Sequence, residues 1–169
     1  MKNQIEIERK YIIKMPSVER MREMEAYTSD VIVQVYLPSK SGETHRVRSR
    51  SGVSGIKYTE TEKIRIDKMS VVEKEREISE EEFLMLSSSP RENTKPIEKT
   101  RHSFVFEGQV FEIDVYPYWK NTAIMETELS SREDTVRMPD LIEIVREVTG
   151  RFEYSNSAMS EHFPEEDYL

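Results

Sequence analysis

The chain predicts a mainly β (α+β) fold: an eight-stranded antiparallel closed β-barrel with a charged interior and a few flanking helices. Three observations predict it. Apolar and charged residues alternate at a two-residue step in segment after segment, the period at which strand side chains fall on opposite faces. Turns rather than long helices join most of these segments, which favours antiparallel neighbours. The charged faces carry no hydrophobic filler, so a closed barrel must turn them inward around a hydrated channel and keep its apolar faces outside.

The first strand, Gln4 to Ile13, puts Glu6, Glu8 and Lys10 on one face and Ile5, Ile7 and Tyr11 on the other. Pro16 to Tyr27 reads as a short helix, with Pro16 suited to its first turn and Val18, Met21 and Met24 spaced as an apolar stripe. Val31 to Leu37 is a β-branched strand, and Pro38 to Glu43 a turn. Thr44 to Arg50 then places Arg46, Arg48 and Arg50 on a common face, and Gly52 to Gly55 turns the chain again. Lys57 to Ile66 aligns Lys57, Thr59, Thr61, Lys63 and Arg65; Val71 to Ile78 aligns Glu73, Glu75 and Glu77.

Ser79 followed by Glu82 is a capping box for a helix through Leu86, and Ser87 to Pro96 is a polar loop. Ile97 to Glu107 carries Lys99 and Arg101. Gln109 to Tyr116 sets Glu112 and Asp114 against Phe111, Ile113 and Val115, and Ala123 to Leu129 carries Glu126 and Glu128. Asp140 to Val148 reads as a helix, with Pro139 before it, Leu141, Ile144, Val145 and Val148 as its apolar face and Gly150 as terminator. Ser155 to Phe163 adds a last helix, and residues 164–169 form a loose acidic tail. No repeat or linker divides the chain, so residues 1–169 are expected to form one domain.

Charged residues make up 34% of the chain and hydrophobic ones 36%, an unusual demand for charge in a sequence whose periodicity is that of a folded domain. The net charge of −8 argues against a general nucleic-acid binder, whose affinity rests on a positive field. No cysteine is present and only three histidines, so a bound metal falls to carboxylate oxygens, pointing to Mg²⁺, Mn²⁺ or Ca²⁺. No apolar run reaches membrane-spanning length and the N-terminus does not read as a signal peptide. The expectation is therefore a cytoplasmic protein without membrane or nucleic-acid partners.

The inward set balances its signs: Lys10, Arg46, Arg48, Lys63, Lys99 and Arg101 stand against Glu6, Glu8, Glu75, Glu77, Glu112, Asp114, Glu126 and Glu128. Same-face neighbours on a strand lie about 6.6 Å apart, close enough for two glutamates to converge on one cation. Arginine forks match phosphate oxygens in pairs. Carboxylates on some walls and Arg or Lys on others suit a chain of phosphates bridged to the protein by metal, with catalysis by positioning and charge neutralisation. Arg50, Lys57 and Arg65 continue the alternation beyond this set and are assigned to the mouth or solvent, Glu73 to the rim or surface. Tyr116, Tyr118 and Trp119 are assigned to packing, and the histidines and nine methionines to structural roles.

This ordered set resembles the triphosphate tunnel metalloenzymes, or CYTH superfamily, and within it small bacterial inorganic triphosphatases. The family's Glu-x-Glu-x-Lys appears as Glu6-Ile7-Glu8-Arg9-Lys10. The match continues through Arg46-Val47-Arg48, Thr59-Glu60-Thr61-Glu62-Lys63 and Glu75-Arg76-Glu77. It then runs through Glu98-Lys99-Thr100-Arg101, Phe111-Glu112-Ile113-Asp114-Val115 and Glu126-Thr127-Glu128, and closes at Tyr154-Ser155-Asn156. The resemblance implies a Mg²⁺ or Mn²⁺ site at Glu6, Glu8, Glu126 and Glu128. It implies phosphate binding by Lys10, Arg46, Arg48, Lys63, Lys99 and Arg101. It implies a catalytic set of Glu8, Glu75, Glu77, Glu112 and Asp114, whose carboxylates would serve a second metal, the orientation of the bases or the activation of water.

The activity implied is metal-dependent hydrolysis of a linear triphosphate, inorganic tripolyphosphate first, to pyrophosphate and phosphate. Thiamine or nucleoside triphosphates, cyclisation of ATP, and non-catalytic polyphosphate binding are the alternatives. The cyclase branch tends to carry a His-Phe pair before the first motif, where this chain has Met1 to Gln4. Some small bacterial members carry lysines around the closing element, where this chain has Phe152, Ser155 and Ser157. The apolar outer face, with few helices to cover it, also leads to the expectation of a homodimer.

Overall fold

The computed structural model describes residues 2–166, and side chains from Ile5 onward. Nine strands form one sheet: β1 (Lys2–Lys14), β2 (Glu25–Leu37), β3 (Glu43–Gly52), β4 (Gly55–Arg65), β5 (Ser70–Ile78), β6 (Ile97–Phe106), β7 (Gln109–Val115), β8 (Thr122–Glu128) and β9 (Ile144–Glu147). Their order is β5-β4-β3-β2-β6-β7-β8-β1-β9, and β5 also pairs with β1. Strands β1 to β8 thus close an antiparallel barrel, with β9 as an added strand. Among the described residues closure leaves no long free edge for another chain to pair with. The helices among the described residues are α1 (Val18–Arg22), α2 (Glu80–Ser87) and α3 (Asn156–Glu161), the last preceded by a 3₁₀ turn at Phe152–Tyr154. None is long and apolar enough to cross a membrane.

β1 carries the closure. Its first half pairs with β5, from Gln4↔Glu73 to Ile7↔Ser70, and its second half pairs with β8, from Glu8↔Glu128 to Lys14↔Thr122. Where β5 stops, the same edge of β1 would be left with unmatched backbone groups, which are costly when buried. β9 takes them over, with Tyr11↔Glu147 and Ile12↔Arg146 in register and Val148 N–H donating to Lys10 O at 2.8 Å. The helix expected over 140–148 is therefore a turn followed by a strand. Its apolar residues serve two different cores: Leu141 and Ile142 pack with the cluster around Phe104 and Phe111, Val145 and Val148 with the cluster around Tyr116.

The helix expected over 16–27 is likewise shorter. Ser17 caps α1 and the helix ends at Arg22; from Glu25 the chain pairs with β6, as Glu25↔Val105 and Thr28↔Ser103, across a bulge. Sheet hydrogen bonding overrides a weak local helical preference there. The capping box of α2 forms, Ser79 and Glu82 exchanging bonds. α2 lies over the outer cluster of Val35, Leu37, Val47 and Ile78 through Phe83 and Leu86, while Ile5 and Ile64 on the outer wall stay exposed.

The barrel interior is not charged throughout. Two residues along from Lys10, Gln34, Lys99, Asp114 and Glu126, on the same inward faces, stand Ile12, Tyr36, Ile97, Tyr116 and Ile124. These five are buried and pack with Trp119, Val148, Tyr154 and Met159. They form an apolar plug at one end of the barrel, so the charged space above it is a cup. Tyr116 and Trp119 both meet the ring of Phe163, at 5.2 and 5.4 Å between centroids, which bears out their assignment to packing. The acidic tail is tied down as far as Glu166, whose carboxylate accepts from the backbone N–H groups of Lys120 and Thr122; the rest of the tail lies outside the described residues.

Candidate active site

The cup holds a cavity of ≈ 620 Å³. Strand order divides its wall. Going round the barrel, β4, β3, β2 and β6 stand consecutively, and so do β7, β8, β1 and β5. The first arc supplies Lys63, Arg46, Arg48 and Arg101, with Lys99 beneath them; the second supplies Glu112, Glu126, Glu128, Glu6, Glu8, Glu73 and Glu75, with Asp114 beneath and Lys10 the one cation among them. A basic half therefore faces an acidic half across the cavity.

At the floor, Asp114 is clamped. Lys99 Nζ lies 2.6 Å from Asp114 Oδ2, with side chains 0% and 1% exposed. Arg101 adds two parallel bonds to the same carboxylate, at 2.7 and 2.8 Å, and reaches Glu112 at 2.7 Å. Burial alone would raise the Asp114 pKa, but Arg101 and Lys99 outweigh it and hold the carboxyl well below the usual range. With both oxygens bonded, Asp114 orients the two bases. Neither Asp114 nor Lys99 lines the cavity.

Higher on the acidic arc, Lys10 lies 3.1 Å from Glu126 and donates to Tyr154 O at 3.3 Å. Burial opposes the charge on Glu126, yet Lys10 and Arg101 pull its pKa down to about 2. Glu8 stands next to this fixed anion. Repulsion from Glu126 and burial together push the Glu8 pKa up. On the far side of β1, Lys63 bridges Glu73 at 2.7 Å and Glu6 at 3.5 Å. Burial, with Glu73 alongside, raises the Glu6 pKa to about 7 despite Lys63, while Lys63 and its neighbours keep Glu73 low against its own burial. Glu73, expected at the rim or surface, is thus a wall residue.

The basic arc is differently furnished. Among the described residues neither Arg46 nor Arg48 has a carboxylate within salt-bridge distance, although Arg46 is buried and its Nε has no hydrogen-bond partner. Arg48 Nε donates to Gln34 Oε1 at 3.3 Å. Burial, with Arg46 and Arg101 close by, pushes its pKa down to about 9. A buried and a half-buried guanidinium side by side, without counter-ions among the described residues, form an anion site by default.

Of the residues expected in the site, Glu6, Glu8, Lys10, Arg46, Arg48, Lys63, Glu75, Arg101, Glu112, Glu126 and Glu128 line the cavity. Glu77 does not: it is exposed, opposite Thr59 near the end of β5. Arg50 and Arg65 line it, Arg50 bound to Asp30 at 2.7 Å, while Lys57 is exposed. Several contributors escaped sequence reasoning, Lys40, Glu43 and Glu161 on the lining among them. Gln34 and Tyr36 alternate with Val33, Val35 and Leu37, a signal that was present. Arg91, in the loop after α2, lines the cavity and sits in a segment with no periodicity to mark it.

Oxygen donors are the chemistry this wall offers a cation. Among the described residues no three acidic or histidine side chains converge as a ready-made metal site. The crowding of Glu8 against Glu126 is nevertheless an arrangement that a hard cation relieves, and Mg²⁺ or Mn²⁺ takes few protein carboxylates when phosphate oxygens complete its shell. The residues fit such an ion.

No family model matches the chain, and no curated protein matches its sequence. Solved structures do. The inorganic triphosphatase NE1496 is 26% identical, with 94% of this chain and 96% of that one covered and a TM-score of 0.60. PH1012 from Pyrococcus horikoshii OT3 shares the fold at 19% identity over 76% and 81% of the two chains, with a TM-score of 0.56. HpAC1 from Hippeastrum, an adenylyl cyclase candidate with a dominant triphosphatase activity, shares it at 14% identity over 75% and 81%, with a TM-score of 0.52. The closed barrel, its ordered inward dyads and these neighbours together bear out the resemblance of this chain to the triphosphate tunnel, or CYTH, superfamily.

Proposed function

We propose that this protein hydrolyses a linear triphosphate, with inorganic tripolyphosphate as substrate and Mg²⁺ or Mn²⁺ as cofactor. The observation that carries the reading is the pair Arg46 and Arg48, the first buried and the second half-buried, both facing the cavity and without carboxylate partners among the described residues. Across from them stands Glu8, crowded against the anion that Lys10 and Arg101 fix at Glu126. An anion chain with its cation satisfies both walls at once. The likeness to the inorganic triphosphatase NE1496 over nearly the whole of both chains supports the same substrate class.

In this reading Arg46 and Arg48 hold phosphate oxygens and align the chain along the cup. Lys10 is kept charged by Glu126 and Glu8, which outweigh the burial opposing it, and adds a further positive contact. Asp114 acts through Arg101 and Lys99 as a positioning residue. Glu6, Glu8, Glu126 and Glu128 are the oxygens that would hold the metal, which supplies charge neutralisation and substrate orientation. Water adds to the terminal phosphorus, the bond to the bridging oxygen breaks, and pyrophosphate and phosphate leave. The water's proton passes to a wall carboxylate outside the metal set, with Glu75 and Glu112 both lining the cavity.

The test is phosphate release from tripolyphosphate by purified protein with Mg²⁺ or Mn²⁺, stopped by EDTA. Absence of turnover with either metal between pH 7 and 10 overturns the hydrolase. Tight binding of tripolyphosphate without turnover would make the protein a polyphosphate-binding module.

A further inference from the structure

The geometry points to Arg91 as an additional substrate-binding arginine, held at the cavity wall by α3 and partly masked by Glu161, which a bound phosphate chain displaces. The inference rests on the triphosphate reading and concerns which residues set its affinity.

Arg91 is fixed by its backbone first. Its N–H donates to Tyr36 O at 2.8 Å, and its carbonyl accepts from Thr94 Oγ1 at 2.6 Å. The side chain then lies over the Tyr36 ring, Cζ 5.5 Å from the centroid. Tyr36 belongs to the inward face of β2, and its hydroxyl accepts from Gln34 Nε2 at 3.1 Å. Gln34 in turn accepts from Arg48 at 3.3 Å. Arg91 and Arg48 are therefore positioned through the same two side chains, and Arg91 extends the basic arc toward the plug and α3.

The guanidinium's partners show what it lacks. Nη1 donates to Ser157 Oγ and Nη2 to Ser157 O, both at 3.0 Å, with Ser160 Oγ at 3.4 Å. These neutral acceptors aim the group without cancelling its charge. The Nε is buried and has no hydrogen-bond partner among the described residues. The one carboxylate paired with it among the described residues is Glu161, at 2.9 Å and 55% exposed, and ion pairs to so exposed a partner are weak. Arg91 and Glu161 both line the cavity. A polyphosphate arriving there offers several charged oxygens in exchange for one solvated carboxylate, a favourable trade for an arginine fork.

A simple staple between the loop and α3 would need Glu161 to hold it. A substrate-binding arginine would be hindered by the same carboxylate. The two roles therefore predict opposite effects of Glu161→Gln, which keeps an acceptor for Arg91 and removes the charge. Titration calorimetry with inorganic tripolyphosphate in EDTA, where nothing turns over, reads binding directly. Arg91→Gln is expected to weaken binding about tenfold and Glu161→Gln to tighten it about threefold. In steady-state assays with metal the same shifts appear in KM, with kcat within about twofold of wild type. Unchanged or weaker binding by Glu161→Gln overturns the inference, and does so even if Arg91→Gln does not fold. Wild-type protein that binds no tripolyphosphate overturns the triphosphate reading itself, a result distinct from wild-type binding that ignores both substitutions.

Discussion

Arg101 clasps Asp114 through two parallel hydrogen bonds, Nε to Oδ1 at 2.7 Å and Nη2 to Oδ2 at 2.8 Å, on a carboxylate 1% exposed. The pair stands at the boundary between charged cup and apolar plug, and Lys99 completes it. Removing one partner of such a cluster leaves the others charged and buried. Asp114→Ala should cost about 3–5 kcal/mol in urea unfolding. The Asp114 pKa in the folded protein lies below its unfolded value, so this stabilisation is present above the ordinary carboxylate range and is lost as pH falls below it. The deficit of Asp114→Ala against wild type should therefore shrink toward acid. A deficit independent of pH refutes the ion-pair account.

Arg46 presents the opposite case, a buried cation with an unpartnered Nε and no counter-ion among the described residues. Keeping it there opposes folding until an anion binds. Arg46→Met should raise Tm by a few degrees without phosphate, for a gain of about 1 kcal/mol. It should also lose most of the Tm increase that tripolyphosphate gives wild type. A variant less stable than wild type in phosphate-free buffer contradicts this.

Glu6 titrates in a window that melting experiments reach. Burial and Glu73 raise its pKa from 4.5 to about 7. A carboxyl with a raised folded pKa contributes fully below the unfolded pKa and loses that contribution as pH rises through the folded one. Metal-free wild type should thus lose stability between pH 5 and 8, and Glu6→Gln should lose less, by about 1 kcal/mol given the group's partial exposure. Thermal melts in EDTA at the two pH values decide the matter; parallel losses in both proteins sink the prediction.

Gly150 tests the seam of the barrel. It has a φ of +71° and its absent Cβ would stand 2.9 Å from Lys68 Cβ. Beside it, Thr149 Oγ1 accepts from the Lys10 backbone N–H at 2.9 Å. Gly150→Ala should cost about 1–2 kcal/mol from backbone strain alone and raise KM by disturbing Lys10. Equilibrium unfolding together with steady-state kinetics checks both, and a variant as stable as wild type overturns the strain argument.

The barrel and most of the inner wall were legible because both obey a period of two. Glu6, Glu8 and Lys10 declare their common face within five residues, and so do Arg46 with Arg48 and Glu126 with Glu128. Elements whose conformation depends on a distant partner were not legible. The spacing of Leu141, Ile144, Val145 and Val148 is helical, yet this segment becomes strand because β1 has an unfilled edge. Glu77 carries the same alternation as Glu75 but lies past the cavity, since periodicity gives the face of a residue and not its height in the barrel. Arg91 could not be read at all, because nothing in a loop sequence states where its tip will land.

Local alternation by itself determined which side chains point inward, since strand geometry leaves them only two directions. Their signs follow from residue type, so a charged and balanced interior was implied before any contact was known. Only the tertiary structure decided how those charges are arranged. Strand order, set by long-range pairing, gathers cations on β4, β3, β2 and β6 and acids on β7, β8, β1 and β5. Contact geometry then separates the Lys99–Asp114–Arg101 floor, whose charges are paired, from Arg46 and Arg48, which have no carboxylate at salt-bridge distance among the described residues. Charge interactions act through distance and dielectric, and a one-dimensional chain specifies neither until it closes on itself.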